Sequence, residues 1–472
     1  MITQMKSIFL IFRLQPFEGT TEEGRSKERL RRAALTTVSA GAARAIGIAV
    51  SMVSVPLTVR YLGPERYGLW VVLLSIIAAM GIADLGIGNG LMNTISDAYG
   101  RDDRRMAREC VTSAFVMMLG IAVVLALGGA AAYPFVPWMR VFNVKSAAIA
   151  VEGSHAFAVL FIWFLINIPL GVVYRAQAGL QKGYLPQLVG ALGNVLTLLA
   201  LLVIIKLHGN LAWLVFGSTI GGVVGIVMNA TILFREHPWL IPARHAYSST
   251  TAKTILRLGL MFFVLQCAVA IGYTSDNIVI TQILGAAAVA AYAVPQKLFS
   301  AVSMVINMAL SPLWPAYGEA IARGDVAWVR RIFFASFRTA LLVSTALCTT
   351  LIFAGPWILR VAVGKTLNVP RSLLVAMAIW GVVESLSVAM AMLLNGAGVL
   401  KEQTVVAIVV SLTNLALSIV LTRRFGLLGV CVGSILTQLL LAFPPYLLLV
   451  RNLFRKLATK TAETHLVEIQ AS

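Results

Sequence analysis

From about residue 34 to residue 450 the chain is a succession of long apolar runs with short polar joins between them. About 20 mostly apolar residues make a helix that crosses a bilayer. Twelve runs reach that length, at roughly 34–59, 67–93, 109–132, 152–174, 185–206, 211–233, 255–282, 287–313, 331–354, 370–395, 403–422 and 426–450. The expected fold class is therefore all-α integral membrane, with about twelve transmembrane helices. The even count puts both ends of the chain on one side.

The joins organise the spans. The segment 234–254 holds Pro238, Pro242, Arg235, Arg244 and Lys253, and it separates six spans from six. It predicts a cytoplasmic linker between an N-terminal bundle, 34–233, and a C-terminal bundle, 255–450. Residues 1–33 and 451–472 are expected to be cytoplasmic tails. The apolar stretch from Ile8 to Leu14 is too short to span, and no small-residue cleavage site follows it, so no signal peptide is expected. The two halves also repeat. Leu62 to Trp70 matches Leu284 to Tyr292, Ala178 to Lys182 matches Ala397 to Lys401, and Asn194 falls near the counterpart of Asn414. Copies six spans apart share one orientation, so the bundles form a parallel repeat about the membrane normal.

Composition sharpens this picture. Hydrophobic residues make up 59% of the 472 positions and charged ones 12%, about half the charged share of an ordinary soluble domain. That excludes a soluble enzyme. The formal charge of +19 would suggest nucleic acid in a soluble protein. Here about 25 basic residues lie beside one set of helix ends, about ten beside the other and about three inside spans, which is the positive-inside asymmetry. No nucleic-acid partner is expected, and the basic side is assigned to the cytoplasm. Cys110, Cys267, Cys348 and Cys431 have neither disulfide nor zinc spacing.

Charge inside hydrocarbon is costly, so intramembrane ionisable residues are the candidate functional ones. Arg44 shares one face of span 1 with Gly41, Gly47, Ser51 and Ser54. That small, polar stripe reads either as a close helix contact or as a cavity wall. Asp84, flanked by Gly81 and Gly88 on span 2, lies at the depth of Arg44 in an antiparallel neighbour. An ion pair is expected there, fixed or opening during transport. Gln266, Tyr273 and Asp276 share a face of span 7, and Lys297, Ser300 and Asn307 occur on span 8. Lys297 is a point charge for a phosphate or the partner of Asp276. Glu384, in mid-span 10 without a basic neighbour, is a structural glutamate or a coupling site.

The five histidines have no metal spacing, no phosphate-cradling glycine loop is present, and the outer joins are too short for a catalytic domain. No metal, cofactor or catalytic residue is expected.

Leu62 to Trp70, the run Asp84-Leu85-Gly86-Ile87-Gly88-Asn89-Gly90, and Leu394-Asn395-Gly396-Ala397-Gly398 together resemble the Wzx-like polysaccharide-repeat-unit flippases of the multidrug/oligosaccharidyl-lipid/polysaccharide exporter superfamily. The resemblance covers almost all of 34–450. It implies a bacterial inner-membrane carrier with two bundles opening alternately to each side. Its substrate would be an undecaprenyl-diphosphate-linked oligosaccharide for O-antigen, exopolysaccharide or capsule synthesis, and its drive an ion gradient. Membrane lipids, a polysaccharide polymerase and chain-length proteins are the implied partners. Arg44 and Lys297 supply cations for the diphosphate; Ser51, Ser54, Gln266, Tyr273, Ser300 and Asn307 supply polar cavity wall; Asp84, Asp276 and Glu384 supply an ion pair or coupling. A cation-coupled drug exporter of the same superfamily is the alternative, and a membrane polymerase or ligase the remoter one.

Overall fold

The computed structural model describes residues 15–17, 21–80, 83–142, 146–363 and 369–471. Among them there is no strand, and eleven helices are long and apolar enough to cross a membrane. The helices are α1 (Glu22–Gly63), α2 (64–80), α3 (Ile87–Gly100), α4 (Arg104–Ala132), α5 (Trp138–Phe142), α6 (Ala147–Gly179), α7 (Tyr184–Lys206), α8 (Leu211–Glu236), α9 (Ser249–Leu284), α10 (Ala286–Leu310), α11 (Leu313–Ala322), α12 (Val326–Val363), α13 (Arg371–Gly396), α14 (Leu400–Phe425), α15 (Leu427–Thr437) and α16 (Phe443–Ala471). Every expected span but the second has its counterpart among the eleven.

Span 2 is broken. In place of one helix over 67–93, the chain runs as α2 to Met80 and restarts as α3 at Ile87. Leu85 and Gly86 take left-handed conformations, with φ of 48° and 70°. Asp84 makes the turn: its Oδ1 accepts from the Gly86 amide at 3.0 Å and its carbonyl from the Ile87 amide at 2.9 Å. An aspartate two residues before a glycine is a standard turn former. Non-helical backbone at membrane depth is tolerated only where protein or water surrounds it.

The chain divides into two compact units, Met1–Leu260 and Met261–Ser472, with the division inside α9. The first has a core of α3, α4, α6 and the start of α9, centred on Leu91, Ile95, Val111 and Ala176, and a second cluster around Leu73, Leu160 and Leu214. The core of the second lies among α10, α12, α13 and α15, around Phe299, Leu373, Met377 and Val430. Small residues let backbones meet, as expected where lipid gives helices little hydrophobic reason to associate. A Cβ on Gly221 of α8 would fall 1.9 Å from the Gly193 carbonyl oxygen of α7.

The internal repeat is written into the backbone. Gly63 and Gly285 occupy matching breaks with nearly the same conformation, φ 73° and ψ 170° against φ 88° and ψ 160°. Residues with positive φ recur in the same order at Asp102, Gln181 and His208 in one unit and at Gly324, Gly398 and Gly426 in the other. Asp103 and Asp325 each cap the helix that follows, accepting from the amides of Met106 and Trp328. The turn pattern pairs Gln181 with Gly398: the next amides, of Lys182 and Val399, both reach back five residues, to the Gln177 and Leu394 carbonyls. That register is two residues away from the one the side chains suggest.

Candidate functional site

Each unit carries its own polar cavity. In the first, α1 and α7 enclose an open groove of about 740 Å³ lined by Arg44, Gly47, Ser51, Met52, Val55 and Asn194, among others. Gly47 makes it possible: a Cβ there would lie 3.2 Å from Asn194 Nδ2. Arg44 is exposed and, among the described residues, forms no ion pair. Ser51 is exposed and donates to the Gly47 carbonyl at 2.9 Å, and Ser54, one turn on, is half-buried. Among the described residues no carboxylate lines the groove. It is a cationic wall with hydroxyl and amide groups beside it.

Arg44 and Asp84 are not brought together. Asp84 sits in the break of span 2, and the basic side chain next to it is Arg175 of α6. A Cβ on Gly88 would meet Arg175 Nε at 2.7 Å and Asp84 Oδ2 at 3.0 Å, so the guanidinium and the carboxylate approach each other across that glycine. Equal depth in two spans does not fix which faces meet, and the break turns Asp84 off the helix that the depth argument assumed. Arg175 was hidden from sequence reasoning because the fourth span seemed to end at Tyr174, whereas α6 continues to Gly179.

The second unit has a cavity of about 460 Å³ among α9, α10, α13, α14 and α15. Three of the singled-out residues, Asp276, Asn307 and Glu384, line it together, and none of its lining residues is Lys or Arg. Asp276 is 5% exposed. Its Oδ2 accepts from the Tyr292 hydroxyl at 3.3 Å, and Oδ1 has no hydrogen-bond partner among the described residues. Glu384 accepts from Ser303 Oγ at 2.5 Å. Asn414 Oδ1 accepts from Ser434 Oγ and Thr437 Oγ1, and Gln438 Nε2 donates to Ser387 Oγ at 2.7 Å. Asn414 thus lines its unit's cavity as Asn194 lines the groove of the other.

Gln438 opens a feature that sequence reasoning missed. Residues Gln438–Ala442 form a π-helical turn in the wall of this cavity. Pro444 and Pro445 follow it, and without N–H groups they cannot bond the carbonyls four residues earlier, which loosens the α-helical register upstream. Such turns are frequent at functional sites. The Pro-Pro pair inside an apolar run was the available signal.

Lys297 is exposed on α10 and does not line the cavity, although its neighbour Gln296 does. Among the described residues no ion pair joins it to Asp276. Gln266 and Ser300 are also exposed, and the Ser300 hydroxyl donates to the Lys297 carbonyl at 3.0 Å. The side chain of Tyr273 lies outside the described residues. Among the described residues no group of His, Cys, Asp and Glu could hold a metal ion, and all four cysteines are free.

Residues 36–320, more than half of the chain, match the family model described as polysaccharide biosynthesis protein. The chain belongs to that family. A Yersinia pseudotuberculosis protein named for O-antigen export is 23% identical over 413 residues, covering 86% of this chain and 93% of its own. A Salmonella typhi protein named as an O-antigen transporter is 22% identical over 306 residues, 65% of this chain and 69% of its own. The structure of an outward-facing multidrug-resistance MATE family transporter of the MOP superfamily superposes with a TM-score of 0.75 at 16% identity, over 91% of this chain and 96% of that one. This member of the polysaccharide biosynthesis family therefore has a MATE-like transporter fold and is a multi-pass membrane protein. Its two cavities differ in sign, cationic in the first unit and carboxylate-lined in the second.

Proposed function

We propose that the chain is a flippase that carries undecaprenyl-diphosphate-linked oligosaccharide repeat units from the cytoplasmic to the outer leaflet of a bacterial inner membrane. The observation that carries the reading is Arg44, an exposed guanidinium deep in a span, on the wall of a groove without carboxylates among the described residues. An exposed charge at that depth must face water rather than lipid, and a guanidinium among polar groups suits a diphosphate. Lys297 is the cation we assign to the second unit, with Ser51 and Ser54 as sugar contacts in the first unit and Gln266, Ser300 and Asn307 as sugar contacts in the second. The relatives named for O-antigen export support the substrate class.

Asp276 and Glu384 take the coupling role. A half-satisfied buried carboxylate in a cavity with no basic lining residue can hold a proton or a small cation that moves down its gradient. The same cavity favours a second reading, export of an organic cation. One experiment separates the two. In a strain lacking its own O-antigen flippase, expression should restore surface polysaccharide and leave susceptibility to cationic drugs unchanged. Drug resistance without polysaccharide would reverse the choice.

Both tails and the 234–254 loop belong in the cytoplasm on this reading, and a polysaccharide polymerase and chain-length proteins are its proposed partners. A single cysteine placed at Arg244 in a cysteine-free background should resist a membrane-impermeant thiol reagent in intact cells and react after lysis. Reaction in intact cells would invert the topology.

A further inference from the structure

α12 and α16 carry matching exposed stripes that the transport reading leaves unused. On α12, Arg330, Phe334 and Arg338 stand four residues apart and so share a face, with Leu341 and Leu342 exposed in the turn beyond. On α16, Leu447 and Leu448 are exposed, followed by exposed Arg451 and Arg455. Aromatic rings join the stripes: Phe454 stacks on Phe334 at 6.4 Å with 16° between the ring planes, and lies 6.0 Å from Phe333. The two helices run in opposite directions, so the leucines of both lie on the inward side of this aromatic seam, with Arg338 and Arg451 between them and the rings, Arg455 level with the rings and Arg330 outside them.

Charge and depth fit an amphiphile. Among the described residues none of these four arginines forms an ion pair. α12 contains no Asp or Glu, and α16 none before Glu463. The membrane helix Val326–Arg360 has 35 residues, about 50 Å at about 1.5 Å per residue. The hydrocarbon core is about 30 Å thick. The first turns of α12 therefore reach into the headgroup layer, where aromatic rings and snorkelling arginines are at home.

We propose that the α12–α16 seam is a binding site for an anionic phospholipid of the cytoplasmic leaflet. Arg330, Arg338, Arg451 and Arg455 surround the phosphate, the stacked phenylalanines lie beside it, and Leu341, Leu342, Leu447 and Leu448 face the acyl chains. The site lies in the second unit alone and uses no residue assigned to substrate or coupling; its place in the cytoplasmic leaflet rests on the topology proposed above.

The test uses the full-length protein in a neutral detergent, with dioleoyl phosphatidylglycerol as the probe and dioleoyl phosphatidylcholine as the control. Native mass spectrometry and thermal shift should show tight binding of the first lipid and weak binding of the second. In Arg338→Gln with Arg455→Gln the affinity for phosphatidylglycerol should fall about tenfold or more. Lysine at the same two positions should recover most of the loss, and Arg105→Gln, an exposed cation of the other unit, should change nothing. Unchanged affinity in the glutamine double variant, or equal binding of phosphatidylcholine, would overturn the site. Displacement of phosphatidylglycerol by undecaprenyl diphosphate at lower concentration would also overturn it, by giving the seam to the substrate.

Discussion

Replacing Arg44 with alanine should abolish most export of every repeat unit while the protein stays in the membrane at its usual level. The residue is exposed and without an ion pair among the described residues, so its removal strands no buried partner. What is lost is a charge-assisted contact to phosphate, worth about 1.5–3 kcal/mol, or about ten- to a hundredfold in affinity. The diphosphate is the charge common to all such substrates, so the loss should not depend on the sugar. Arg44→Lys keeps the point charge and loses the planar fork, and should retain part of the activity. Lys297→Ala should behave like Arg44→Ala, with Lys297→Arg partly active. The measurement is surface polysaccharide in a flippase-null strain, with membrane levels read in parallel. Normal polysaccharide from both alanine variants at normal levels would mean that neither cation grips the substrate.

The uneven legibility of this chain has physical causes. Eleven spans were readable because hydrocarbon requires long apolar runs whatever the tertiary arrangement, and the break in span 2 was not, because it is made by two φ values. Residues Ile82 and Ala83 continue the apolar run up to Asp84. The signal lay in Asp84 and Gly86, a turn pair that hydropathy counts only as one charge. The rule that buried charge is functional picked out Asp276 and Glu384 from separate spans, and they line one cavity with Asn307. The rule gave no partner, since spacing along a helix says which residues share a face but not which helix that face meets. Tyr292 and Ser303, which bond the two carboxylates, are ordinary residues in sequence. In the same way the repeat was visible in side chains near Gly179 and Gly398, yet the turn geometry shifts its register by two residues, because hydrogen bonds and not residue identities fix a helix end.

The break in span 2 leads to the second expected result, which concerns Arg175. Removing one member of a fully buried charge pair costs about 3–5 kcal/mol in soluble proteins, because the other is left charged and unpaired; Asp84 and Arg175 are half-buried and near each other rather than in direct ion-pair contact, so the cost here should be a fraction of that. Arg175→Ala leaves Asp84 alone in the break. Asp84→Ala leaves Arg175 alone and also removes the acceptor for the Gly86 amide. Both should therefore lower the amount of folded protein in the membrane several-fold, with Asp84→Ala the worse of the two. The double variant Asp84→Asn with Arg175→Met should recover much of that loss. Asparagine can still accept from Gly86, methionine fills much of the arginine's space, and no charge remains unpaired. Gly88→Ala provides an independent check, since its methyl would enter the space between the two groups and should destabilise the native chain more than the double variant. Levels would be read by fluorescence-detected size exclusion of a tagged protein, with a melting curve for each variant. If both single variants accumulate and melt as the native chain does, Asp84 and Arg175 do not hold the break. If the double variant is no better than the singles, the loss came from shape and not from charge.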